Sequence, residues 1–123
     1  MEQWERDFEW LKIRHIVKNS MKKDSLADVQ TVLFLIGVQE LGRIPKHNFT
    51  KEEKQDLMHV AVCTLLEGDG YFEFEGRDQD GWPHWKSLKA FDIKGVDQQE
   101  TLLIEKIIEY FNKYNELAQF SIN

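Results

Sequence analysis

One stretch of this chain interrupts a helical pattern that otherwise runs almost from end to end, and the interruption dictates the architecture. Residues Tyr71 to Lys86 read YFEFEGRDQDGWPHWK. Tyr71, Glu73 and Glu75 alternate with Phe72 and Phe74, which is the period of a strand. The turn formers Arg77-Asp78-Gln79-Asp80-Gly81 follow, and a return arm starts at Trp82. The expectation is a β-hairpin set into a helical chain.

Four segments around it keep helical spacing. Residues 2 to 22 place Trp4, Phe8 and Leu11 on one strip and Trp10, Ile13 and Val17 on a second, so this first helix is expected to be covered on two sides as part of the core. Ser25 with Asp28 reads as the cap and first turn of a second helix, in which Leu26, Val29, Leu33 and Ile36 continue the period and Gly42 stops it. Gly37 inside that helix costs about 1 kcal/mol relative to alanine, and a close crossing with another helix is the expected compensation. After a loop at residues 43 to 49, broken by Pro45, Thr50 and Glu53 have the spacing of a capping box. Leu57, Ala61 and Leu65 with Met58, Val62 and Leu66 then supply an apolar face, ended by Gly68 and Gly70. The stretch from Ser87 to Val96 reads as irregular. Asp97 with Glu100 repeats the capping-box spacing, and a last helix from about 98 to 117 carries Leu103, Ile107, Tyr110 and Tyr114 beside Ile104, Ile108 and Phe111.

These elements specify a mainly α fold, a four-helix single domain with one β-hairpin between helices three and four. The 123 residues suit one core, and 41% hydrophobic with 31% charged residues suits a folded chain. The net charge of -6 argues against phosphate-driven binding of nucleic acid and against anionic membrane surfaces. No apolar run nears the roughly 20 residues of a membrane span, and the acidic start MEQWERDFEW does not read as a signal peptide. With the single Cys63 requiring no oxidising compartment, a cytoplasmic location is expected.

The order helix, helix, helix, hairpin is that of a winged helix, but the charges oppose DNA binding. The start of the helix in the recognition position reads Lys51, Glu52, Glu53, Lys54 and Asp56, and six acids lie between Glu67 and Asp80 against Arg77 alone. Elsewhere, Lys12 to Lys23 holds five cations and no acid, so the strip of Trp4, Phe8 and Leu11 continues as His15, Lys18 and Lys22. A solvated helix end complementing its dipole explains this. The sharper reading is that the basic end meets the acidic hairpin, within one molecule or between two.

Candidate chemistry is sparse. His59 and Cys63, four apart on a helix, could supply two ligands to a soft metal, but no other cysteine exists and a small buried thiol beside a histidine explains them better. Asp78, Asp80 and Gly81 mimic the start of a calcium loop. With Gly81 at its glycine position, however, the first and twelfth ligands would be Gly76 and Ser87, so an acidic turn is favoured. Glu73 and Glu75 share an exposed face and lack the contrasting environments that acid-base catalysis needs. No catalytic residue, metal site or cofactor is therefore expected.

Trp82-Pro83-His84-Trp85 is the strongest feature. Proline stiffens the backbone between two indoles, and alternation puts Trp82 with His84 on one side and Pro83 with Trp85 on the other. The indoles either staple the hairpin to the helices or, beside Arg77, form a rigid binding surface of the composition found at interface hot spots. The second reading gives Tyr71, Arg77, Trp82, His84 and Trp85 as binding residues of a noncatalytic module whose partner is another protein or a second copy in a homodimer, with no nucleic acid and no membrane involved. The alternative is a small-molecule or metal-dependent enzyme using His59, His84 and nearby carboxylates beside the hairpin, which requires those histidines to converge.

The runs LFLIGVQELG, FTKEEKQDLMHVAVC and EGRDQDGWPHW resemble a family of small proteins of Bacteroidetes bacteria that carries no assigned activity. The resemblance covers most of the chain and implies a bacterial cytoplasmic protein. It transfers no functional residue.

Overall fold

The computed structural model describes residues 1–43, 48–90 and 95–122, with the side chains of 96, 97 and 115–122 left aside. It contains α1 (Gln3–Ser20), α2 (Val29–Leu41), α3 (Lys51–Leu66), a 3-10 turn (Glu67–Asp69), β1 (Phe72–Arg77), β2 (Pro83–Ser87) and α4 (Val96–Ile122). The fold is thus mainly helical with one antiparallel hairpin between the third and fourth helices. The residues gather into two compact units, residues 1–28 with 94–123 and residues 29–93.

In the first unit, Ile13 and Val17 of α1 and Ile107 and Ile108 of α4 are buried, and Arg6 bonds Glu105 across the two helices at 3.0 Å. The second strip of α1 is therefore the core strip. The expectation that both strips are covered is corrected: Trp4, Phe8 and Leu11 are 70%, 57% and 42% exposed. Periodicity alone cannot tell a covered face from a displayed one, because each requires the same spacing. The start expected for the second helix also moves. Arg14 donates through Nε to the Ala27 carbonyl at 2.7 Å, which holds Ala27 outside the helix, and α2 begins only after Asp28. The last helix begins one residue before the expected Asp97 cap. Gly95, at φ +90°, turns the chain, and its carbonyl accepts from Gln99, so Asp97 falls within the first turn. The helix runs on to Ile122 rather than stopping near 117.

The second unit is built on the crossing of α2 and α3. A Cβ placed on Gly37 would fall onto the Leu57 carbonyl, with the Leu57 Cα 3.0 Å away, so the glycine is what lets the two backbones touch. Thr50 starts α3 through the reciprocal capping box: its Oγ1 accepts from the Glu53 amide at 3.1 Å, and Glu53 accepts from the Thr50 amide at 2.9 Å. Phe49, just before the cap, meets the Phe34 ring of α2 edge-on at 5.6 Å. Leu57, Val60, Ala61, Cys63, Leu65 and Leu66 are buried, which turns the core face slightly toward Val60 and Cys63 and leaves Met58 and Val62 half-buried. Gly42 at φ +83° closes α2, and Gly70 at φ +81° ends the turn after α3. Pro45 of the preceding loop, and part of the irregular stretch after Ser87, lie outside the described residues.

The hairpin pairs Phe72 with Ser87, Glu73 with Lys86, Phe74 with Trp85, Gly76 with His84 and Arg77 with Pro83. A bulge interrupts this ladder between Phe74 and Gly76, where Gly76 adopts φ +116°.

Candidate functional site

The loop of the hairpin is ordered by one side chain. Asp78 accepts from the amides of Asp80 at 2.9 Å and Trp82 at 3.0 Å through Oδ1, and its Oδ2 lies 2.8 Å from His84 Nε2. Those bonds hold its carboxyl below the ordinary aspartate range, the His84 contact contributing most and the Trp82 amide next. Gly81 takes φ +85° at the end of the turn. The aspartate that resembled a calcium ligand is thus occupied in closing a turn, an Asx arrangement extended to the facing histidine.

The turn end of the hairpin is held by Arg77. Its guanidinium donates to the carbonyls of Glu40 at 2.7 Å and Leu41 at 3.1 Å, and to Gly81 at 2.8 Å. Two of those carbonyls belong to the last turn of α2, whose final oxygens have no helical partner and attract a cation. Arg77 therefore works as a tether between the hairpin and α2.

Beside this frame the chain forms a cleft of about 360 Å³. Asp56, His59 and Val60 of α3 supply one wall, and Asp78, Trp82, Pro83 and His84 supply the other. Pro83 is buried, Trp82 half-buried and His84 exposed. A second cleft of about 250 Å³ is lined by Glu40, Thr64, Glu67, Phe74, Arg77, Pro83 and Trp85. Trp85 stacks edge-on against Phe74 at 5.4 Å, and its indole Nε1 is buried without a protein acceptor.

Of the five residues singled out by sequence, Trp82 and His84 come together in the first cleft, while Arg77 and Trp85 line the second. Tyr71 stands apart. It is 8% exposed, its ring lies under the Lys89 ammonium at 4.4 Å, and its carbonyl accepts from the Leu88 amide at 2.9 Å. Both tryptophans remain half-buried rather than sealed. Asp56 and Val60 were not anticipated. The exposed start of α3 was read only for its charge, although the i, i+3 and i, i+4 relation of Asp56 to His59 and Val60 marks a shared face.

The two histidines thought of as convergent do line one cleft, each with a neighbour of its own. His59 Nε2 lies 3.5 Å from Cys63 Sγ, and its ring meets Phe72 edge-on at 6.2 Å. Burial, and then the nearby Glu67 charge, push the Cys63 thiol up to about 11, so it is protonated at neutral pH and a poor metal ligand or nucleophile. No three of His, Cys, Asp and Glu gather in a metal-holding group among the described residues. Nor is any described helix long and apolar enough to cross a membrane.

Compared with known proteins, the chain matches no family model, no curated protein and no solved structure.

Proposed function

We propose that this protein is a noncatalytic interaction module that receives a segment of another protein in the groove between α3 and the hairpin. The observation that carries the reading is the make-up of that groove: a half-buried indole and a buried proline between two carboxylates, Asp56 and Asp78, with His59 and His84 at its sides. An aromatic anchor of few rotamers loses little entropy on binding, and the flanking acids favour a segment bearing lysine or arginine. Trp82 and His84 are the direct contacts. Trp85 and Arg77 face the second cleft, Arg77 also tying the turn end of the hairpin to α2, and Tyr71 is buried before β1. As a bacterial cytoplasmic protein the module would meet its partner there.

A second reading, favoured by the shared cleft of His59 and His84, is acid-base chemistry on a small cationic molecule. The Asp78 carboxylate, 2.8 Å from Nε2, would orient the His84 imidazole.

Affinity capture with the wild-type chain and with Trp82→Ala, followed by titration of segments of the recovered partner, tests the main reading. Expected is at least a tenfold loss of affinity in Trp82→Ala, about 1.4 kcal/mol, with the fold retained. Unchanged association together with a large drop in melting temperature would assign the indole to the core and end the reading. Binding of a small molecule without any peptide would transfer the groove to the second.

A further inference from the structure

Helix α1 displays an apolar strip that nothing in its own unit's described contacts accounts for. Trp4, Phe8 and Leu11 stand 70%, 57% and 42% exposed, opposite the buried Ile13 and Val17. Their spacing of four and three continues through His15, Lys18 and Lys22, which is the a/d repeat of a helix that meets another along a seam. The three apolar side chains alone present about 400 Å² of surface, the size of the largest apolar patch on a typical monomer, which is often a functional one.

The flanks of this seam identify the occupant. Glu5, Asp7 and Glu9 fall in the first half of the helix with Glu2 at its cap, and Lys12, Arg14, Lys18, Lys22 and Lys23 in the second half and just beyond, with no acid between Glu9 and Asp24. Arg6, the one cation among the acids, is already paired with Glu105. A parallel copy of the helix would set like charge against like. An antiparallel copy sets acid against base twice, through one two-fold axis. In the register that lays Phe8 on Leu11 of the second copy, Glu5 faces Lys12 of that copy on one flank, and Asp7 faces Arg14 on the other. Lys12 can make the exchange: it now lies 3.1 Å from Glu9 and 5.2 Å from the centre of the Phe8 ring, with its side chain half exposed.

We infer that the chain forms an antiparallel homodimer through α1, with Trp4, Phe8 and Leu11 along the seam and the two charged halves fixing the orientation. The strip shares no residue with the hairpin groove, and the inference does not rest on that reading. The contact is smaller than the roughly 800 Å² per partner of a standard interface, so the dimer is weak and concentration-dependent.

Sedimentation velocity between about 5 and 500 µM, the range in which an interface of this size assembles, reads it directly. Expected is a shift from the 14.6 kDa chain toward twice that mass, weakened at least tenfold by Phe8→Glu. Glu5→Lys and Lys12→Glu should each weaken it several-fold, because each opposes like charges across the axis. The double variant should return to within about threefold of wild type, since it only exchanges the partners of a pair. All three substituted positions lie off the buried face, and equal melting temperatures confirm intact folds. A chain monomeric throughout, an unaffected Phe8→Glu, or a double variant no better than its singles overturns the inference. So does a monomer that floats with anionic vesicles, which would give the strip to a membrane surface.

Discussion

Replacing Gly37 with alanine sets two effects of opposite sign against each other. Alanine in the middle of a helix is intrinsically favoured over glycine by about 1 kcal/mol, so propensity alone raises stability. The structure demands the reverse. The new methyl group would land on the Leu57 carbonyl, which belongs to backbone and cannot rotate away, with the Leu57 Cα also only 3.0 Å off. Ordinary contact requires α3 to withdraw by more than about 1 Å, and overpacking of that kind costs about 1–3 kcal/mol. Withdrawal also loosens Leu57, which is wholly buried, so the upper end of that range applies. The net loss is about 2 kcal/mol, a fall in melting temperature of roughly 8–10 °C for a chain of this size. Thermal melts followed by circular dichroism, paired with urea titrations, measure it. Gly68→Ala is the control, because no atom lies within 4 Å of a Cβ built there. A Gly37→Ala chain that melts at or above the wild-type temperature would refute the close crossing of α2 and α3.

Arg77→Ala removes three bonds to carbonyls and should cost about 1–2 kcal/mol, with faster amide exchange in the hairpin; Arg77→Lys should recover only part, because a single ammonium cannot match the forked geometry. An unchanged exchange pattern would show that the tether carries no energy. Asp78 has a folded pKa below its unfolded value near 4, so its stabilisation is present above about pH 4 and lost as pH falls through the folded value. Trp82 fluorescence should therefore change in acid below pH 4 in the wild type, whereas Asp78→Asn should already have the altered signal at pH 7. Cys63, 1% exposed and with its thiol near 11, should be about a thousandth ionised at pH 8 and react with a disulfide reagent only at the rate of unfolding. Labelling within seconds under native conditions would contradict its burial.

The elements that were legible in the sequence are those specified by local chemistry. The capping box at Thr50 and Glu53, the stop at Gly42 and the turn around Asp78 each depend on residues near one another in the chain, and each appears in the structure; the compensation for Gly37 was legible too, because a glycine inside a helix is itself the local signal of a close crossing. What was misjudged depends on distant partners. The start of α2 shifts because Arg14 takes the Ala27 carbonyl, and the first strip of α1 proves displayed because burial is decided by what packs against a helix. In the candidate site, the alternation of Trp82 to Trp85 was readable, with Pro83 buried and His84 exposed as its two sides require. The part played by Arg77 was not, since two of the three carbonyls it binds lie 36 and 37 positions away. A glycine inside a strand is the ordinary signal of a bulge, and Gly76 carried it unread.

That bulge sets the parity of the arm. In an unbroken strand every second side chain points the same way, so Arg77 would share a side with Glu73 and turn its guanidinium from Phe74. The extra residue at Glu75 reverses the count: Arg77 now stands opposite Pro83 as Phe74 stands opposite Trp85, and both reach the same hollow. Closing the bulge with Glu75 kept in the ladder would flip the arginine over, whereas excising Glu75 would restore a regular ladder and leave it on the Phe74 side. One spare amino acid thus decides which way the finger's anchor points.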